Sequence, residues 1–332
     1  MATMQDIADE VGVSKAAVSR ILNGKGSFSQ ETILKVERVA HRLNYVPASA
    51  LREGGERRTR RLAVVMPPST SPYYGVLVTL VERVASEYEY DVTPCGSLFA
   101  RGTEEEEFYD ALRERGFDGV LMAAQAREPR LASELGIPVV TMGIKYSDEI
   151  PSVRSNNLLA GRLAARHLVG RGFRSLLYAS HFPDSSQFDE RGLGFVDAAK
   201  GLGADVTTYR FAPLEDENSE KNQITQMLLD STETRGIFLE SYGLTMRTYK
   251  TAVELVYQFP SMLSIVGYGS PYLMGYGGVD LTIVQEDTDV IVAKAVSTLV
   301  DLIEAGDSPA EPGKSPSLET LVPVSLRIGR TG

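Results

Sequence analysis

The sequence predicts an α/β core of two doubly wound parallel-sheet lobes, preceded by an all-α N-terminal helix-turn-helix headpiece. Three observations predict it. Two short amphipathic helical patterns flank a single glycine, Gly12, near the start of the chain. From Leu62 onward, short apolar runs rich in β-branched residues alternate with amphipathic stretches, as βαβ units around a parallel sheet do. Those units form two series of about four strands, which suits two lobes better than one very wide sheet.

In the stretch from Thr3 to Leu22, TMQDIADEVGVSKAAVSRIL, residues Ile7, Ala8 and Val11 share one face of a first helix. Thr3 and Asp6 form its N-terminal capping pair. Gly12 supplies a tight turn that a side chain would resist. Ser14 is a good N-cap for a second helix that buries Val18, Ile21 and Leu22. The opposite face of that helix carries Ala16, Ser19 and Arg20, with Lys15 at its edge. A tight turn followed by a helix with a small, basic outer face is the make-up of a helix-turn-helix. A third helix from Ser29 closes the core with Val36, Val39, Ala40 and Leu43.

After Pro47 the charged, glycine-containing run ASALREGGERRTRR reads as a linker. Strands are expected over 62–66, 90–95, 118–123, 137–142, 175–179, 206–211, 236–240 and 262–267. Helices are expected over 74–88, 103–115, 157–170, 190–202, 219–230 and 244–257. The Pro-, Gly- and Ser-rich run 306–317 reads as a surface loop, and the acidic run 104–107 as a helix start, where negative charge is favoured.

A chain of 332 residues suits two or three domains. No apolar run is long enough to span a bilayer and none follows the N-terminus, so the expected location is the cytoplasm, without membrane contact. The one cysteine, Cys95, reads as a small buried hydrophobe. The net charge is −10, yet residues 1–61 hold 11 Lys and Arg against 7 Asp and Glu, which leaves −14 for the remainder. A basic head on an acidic body is the footprint of a protein in which one module meets phosphates.

The run from Met1 to Pro47 closely resembles the DNA-binding headpiece of the LacI/GalR family of bacterial repressors. The resemblance is carried by DIA in the first helix, GVS at the turn, VSRILNG closing the second helix, S-x-E-T before the third and NYVP at its end. It implies a headpiece over 1–47, a hinge over 48–61 and an effector-binding, dimerising core over 62–332, shared in fold with periplasmic sugar-binding proteins. The implied lobes are about 62–156 with 285–307, and about 157–284 with 308–332; the last strand, 321–327, falls in the second. Lys15, Ala16 and Arg20 align with base-reading positions. Arginine can fork onto guanine N7 and O6, and alanine can touch a thymine methyl. Ser19 and Asn23 suit phosphates. Family members wedge a hinge leucine into the minor groove seven residues after the proline. Here position 54 is glycine, so either Leu51 is the wedge of a shortened hinge or the protein has none. Arg57, Arg58, Arg60 and Arg61 are expected to add phosphate contacts.

In the cleft, the resemblance implies that Tyr73 and Tyr74 stack on the effector and that Arg191, in DERGLGF, forks onto its oxygens. Three acidic positions of the family are replaced: Asn156-Asn157, Glu240-Ser241-Tyr242 and Gly267-Tyr268-Gly269-Ser270 stand there instead. Asn156, Tyr242 and Ser270 remain as effector contacts. Neutral groups hold hydroxyls less strongly than carboxylates do. With Lys145, Arg154, His181 and Arg247 nearby, this balance points to an anionic or less hydroxylated ligand; a decayed site, or a polyol gripped differently, is the alternative.

The expected partners are therefore operator double-stranded DNA, a small effector (sugar, sugar phosphate or other metabolite) and a second copy of the chain, with a tetramer as the larger assembly. No cofactor or metal is expected. The three histidines come without a Ser-His-Asp order, metal-ligand spacing or phosphate loop, which argues against an enzyme. A solute-binding protein for transport shares the core but not the headpiece.

Overall fold

The computed structural model describes residues 4–22, 28–29, 32–33, 35–36, 38–39, 59–67, 71–96, 105–124, 126, 128–181, 189–212, 217–230, 236–274, 278–305 and 318–332. They fall into two units, Met1–Thr59 and Arg60–Gly332.

In the first unit, helices α1 (Met4–Val11) and α2 (Lys15–Leu22) meet at Gly12, whose φ of +77° is the left-handed conformation glycine adopts without strain. The amides of Gly12 and Val13 both donate to the Ala8 carbonyl, at 2.9 and 3.0 Å, which closes α1. Ser14 then caps α2: its Oγ accepts from the Ala17 amide at 3.2 Å. Ser29 does the same for the next helical turn, accepting from Thr32 at 3.2 Å. Ile7, Ala8, Val18, Ile21 and Val36 are buried together, with Val11 and Val39 packed against them. The 3.6-residue period thus fixes these faces. Thr3, Ala40 and Leu43 lie outside the described residues.

The second unit holds two six-stranded sheets. The first contains β1 (Arg61–Val65), β2 (Asp91–Pro94), β3 (Gly119–Met122), β4 (Val139–Met142) and β5 (Ser152–Ser155). Its helices are α3 (Pro72–Ser86), α4 (Glu105–Glu114) and the single turn α5 (Arg130–Ser133). The second contains β6 (Ser175–Ser180), β7 (Asp205–Arg210), β8 (Gly236–Leu239), β9 (Ser264–Gly269) and β10 (Thr282–Glu286). Its helices are α6 (Asn157–Gly170), α7 (Glu190–Gly201), α8 (Glu217–Asp230) and α9 (Tyr242–Glu254). The chain then enters α10 (Thr288–Ala305), β11 (Glu319–Val322) and β12 (Val324–Arg327). The sheet orders are β11-β5-β4-β3-β1-β2 and β12-β10-β9-β8-β6-β7. Every pairing is parallel except β10 with β12. Apolar clusters lie on both faces of each sheet, as a doubly wound fold requires.

Two expectations are corrected. The single last strand over 321–327 is two strands in different lobes, because β11 pairs with β5 and β12 with β10. Pro323 separates them and has no N–H to continue a ladder. The third crossing between lobes is therefore at Pro323, not near 308. The sequence reading also lacks β5, β10 and α10. In α10 the buried residues Ile291, Val292, Ala295, Val296, Leu299, Val300 and Ile303 have helical spacing. Their β-branched content masks the helix, which burial against the first sheet stabilises in spite of propensity.

Candidate functional sites

On α2, Val18 and Ile21 are buried whereas Lys15 and Arg20 are exposed. The core thus holds one face of the helix and leaves the basic side accessible. Ala16 and Ser19 lie within α2. Asn23 and Leu51 lie outside the described residues, as do Arg57 and Arg58. Arg60 and Arg61 are exposed and contact the first lobe. The Arg60 guanidinium lies 5.1 Å from the Tyr90 ring centre and that of Arg61 5.1 Å from Phe117. The Arg60 amide donates to Asp118 at 2.8 Å, and Arg61 opens β1. Cation–π stacking and strand pairing anchor these two exposed residues to the core.

A cavity of about 630 Å³ opens between the lobes. It lies at the C-terminal ends of the first sheet's strands, the usual ligand position in doubly wound folds. From the first lobe it is lined by Pro67 and Tyr74, by Ala123, Ala126 and Pro129 beyond β3, by residues 143–148 beyond β4, and by Arg154 of β5. Asn157, Glu190 and Arg191 close it from the second lobe.

Arg191 owes its position to two features of DERGLGF. Asp189, only 3% exposed, caps α7 by accepting from the Gly192 amide at 3.0 Å. It also accepts from the Tyr178 hydroxyl at 2.5 Å and from Arg210 at 2.6 Å. In addition, α6 and α7 approach until backbones touch: a Cβ on Gly161 would overlap the Arg191 carbonyl oxygen, and one on Gly194 the Leu158 carbonyl oxygen. The Arg191 guanidinium donates to the Glu240 carbonyl oxygen and lies 4.0 Å over the Tyr268 ring. Burial opposes its charge, but the neighbouring Tyr268 and Tyr178 rings and the Glu240 and Glu286 carboxylates outweigh that, leaving its pKa above the ordinary value.

The other predicted contacts separate. Tyr74 faces the cavity, edge-on to Tyr73 at 5.3 Å. Tyr73 packs toward the core, and burial with the Glu286 charge holds its phenol well above the usual range. The Asn156 side-chain oxygen caps α6, accepting from Leu159 at 2.9 Å. It is Asn157, 8% exposed, that lines the cavity, with a buried amide oxygen that has no hydrogen-bond partner among the described residues. Ser270 is 1% exposed and shares a hydrogen bond with Thr288 at 2.7 Å. Thr288 continues to Glu286 at 3.1 Å, and Tyr268 donates to the same carboxylate at 3.0 Å. Ser270 thus belongs to a buried network at the second crossing. Tyr242 opens α9 behind the Ser241 cap and does not line the cavity. The sequence reading gives Glu286, Glu190 and Asn157 no contact in the cleft, because their roles depend on the crossings of the chain.

The cations expected near the cleft are paired. Arg154, 8% exposed, forks onto Glu190 and also donates to Glu319 at 2.6 and 3.0 Å. Lys145 lies 2.7 Å from Asp148, and Arg247 2.6 Å from Glu220. His181 sits between two carboxylates, 2.7 Å from Glu240 and 3.1 Å from Glu220, and stacks on Phe211 at 4.7 Å. The anionic-ligand expectation counted these charges without their partners.

Burial alone would lower the His181 pKa, but the Glu240 hydrogen bond and the charges of Glu240 and Glu220 raise it overall. A raised folded pKa means that the stabilisation is complete below the unfolded value of about 6.5 and disappears as pH rises through the folded value. His181→Gln should therefore lower the melting temperature most at mildly acidic pH. The gap to wild type should close in alkaline buffer; a gap independent of pH would contradict the charge-based account.

Among the described residues, no helix is long and apolar enough to cross a membrane, and no group of three or more His, Cys, Asp or Glu could hold a metal. Residues 3–48 match the bacterial regulatory proteins of the lacI family. Residues 59–234 match the periplasmic binding proteins and sugar binding domain of the LacI family, and residues 165–330 a periplasmic binding protein-like domain. The chain is 28% identical to the ribose operon repressor of Halalkalibacterium halodurans, over 92% of this chain and 91% of that one. It is 24% identical to the sucrose operon repressor of Streptococcus mutans, over 100% and 99% respectively. In fold it is similar to the lac repressor dimer bound to operator and an anti-inducer, with a TM-score of 0.67 at 20% identity over 99% of this chain and 98% of that one. A helix-turn-helix domain, two parallel-sheet lobes and matches to both family descriptions establish that the chain belongs to the LacI family and is a DNA-binding transcriptional regulator.

Proposed function

We propose that this regulator represses transcription as a homodimer on a near-palindromic operator, in the cytoplasm, and that a small effector in the interlobe cleft adjusts its hold on DNA. The observation that carries the reading is α2, with Val18 and Ile21 buried and Lys15 and Arg20 exposed. In this reading Lys15, Ala16 and Arg20 meet base edges, Ser19 and Asn23 meet phosphates, and Leu51 is the hinge wedge. One helix-turn-helix reads too few base pairs for genomic specificity, so two copies act together. The chain binds rather than catalyses. Lobe movement on effector binding would change the spacing of the two hinges and so operator affinity.

The effector we favour is neutral and hydroxyl-bearing. A hydroxyl can accept from Arg191, with Asn157 and Tyr74 alongside. The named relatives are regulators of ribose and sucrose operons, which is consistent with this class. Selection of binding sites from random duplexes tests the DNA reading: a palindromic consensus supports it, and its absence refutes it. On that consensus, Arg20→Ala should cost about 1–3 kcal/mol and relax the preference at one base pair per half-site. Wild-type affinity and selectivity in this variant would misplace the reading helix. Calorimetry with each candidate sugar beside its phosphate tests the effector class; tight binding of the phosphate alone would overturn it.

A further inference from the structure

We propose that Glu190 is a specificity-determining residue, the carboxylate that keeps anionic metabolites out of the cleft. This rests on the reading of the cleft as an effector site. Arg154 lines the cavity together with Lys145 and Arg191, is 8% exposed and presents a planar guanidinium suited to the bidentate oxygens of an anion. Glu190, from the start of α7 in the second lobe, occupies that fork, with Oε1 3.1 Å from Nη2 and Oε2 against Nη1. Glu319, on the strand next to Arg154, accepts from Nη2 at 2.6 Å and from Nε at 3.0 Å.

Burial works against the Arg154 charge, yet the hydrogen bonds from Glu190 and Glu319 outweigh it and raise its pKa. The guanidinium is thus satisfied within the protein. A phosphate or carboxylate entering the cleft must displace Glu190 from Arg154 while facing its negative charge. A neutral hydroxyl faces neither demand. Glu190 and Arg154 come from different lobes, so displacing the pair would also remove a contact that holds the lobes together.

The test uses the full chain and inorganic phosphate, read by phosphorus NMR titration and calorimetry. Glutamine keeps the shape of Glu190 without its charge, so Glu190→Gln should bind phosphate at least about tenfold more tightly than wild type. Adding Arg154→Met should abolish the gain. A melting curve reports folding. If Glu190→Gln does not fold, Glu319→Gln relieves the same guanidinium from the first-lobe side and should show the same gain. The proposal is overturned if wild type binds phosphate as tightly as the folded variant, if neither folded variant gains affinity, or if the gain survives loss of Arg154. Inorganic phosphate requires neither operator nor effector, so failure to find a neutral effector counts against the functional reading and not against this result.

Discussion

Gly161→Ala is expected to destabilise the core by about 3 kcal/mol, a fall of roughly 6 to 12 °C in melting temperature, and to abolish the response to effector. The added methyl would overlap the Arg191 carbonyl oxygen and the Phe195 amide nitrogen. Both are backbone atoms, so no rotamer change relieves the overlap and α7 must shift as a body. Because α7 begins with Glu190 and Arg191, the shift moves both of their side chains in the cavity. Gly170→Ala is the control within the same helix. Nothing stands within 4 Å of the added methyl there, so alanine should be neutral or stabilising by up to about 1 kcal/mol. Thermal denaturation of both variants, with effector-dependent operator binding, checks the pair of outcomes. Equal stability of Gly161→Ala and wild type would mean that the two helices do not approach so closely.

Asp189→Ala should be the second severe change, costing about 3 kcal/mol or more. The carboxylate is 3% exposed and serves the Gly192 amide, the Tyr178 hydroxyl and Arg210 at once. Its removal takes the cap from α7, leaves a buried phenol without its acceptor and removes a counter-charge from beside Arg210. Asp189→Asn should fall between alanine and wild type, since one oxygen can still accept from Gly192 while the charge facing Arg210 is gone. Urea denaturation orders the three proteins. If asparagine and alanine cost the same, the cap contributes nothing and the ion pair carries the whole effect.

The headpiece was largely legible in the sequence because its determinants are local. A glycine at position 12 meets a left-handed turn, Ser14 caps within three residues, and Val18 and Ile21 fall on one side by helical period. The α/β alternation of the core was legible for the same reason, whereas Arg191 was expected in the cleft only from the family resemblance of DERGLGF. The path between lobes was not. The strand expected over 321–327 has one apolar rhythm, but its two halves pair with strands of different sheets.

The sequence by itself therefore determined what local periodicity and capping can specify: a helix-turn-helix with a basic outer face, and two series of βαβ units. Tertiary structure decided which polar groups are available in the cleft. Asn156 and Asn157 exchange roles at the helix start, one capping and one facing the cavity. Ser270 is enclosed by Thr288 across the second crossing. Arg154, which the sequence places only as a cation near the cleft, meets Glu190 from 36 positions away and Glu319 from 165. The physical reason is that a charge acts through its neighbours in space, and buried charges are tolerated only when paired, so the partners are set by where the lobes bring distant segments together.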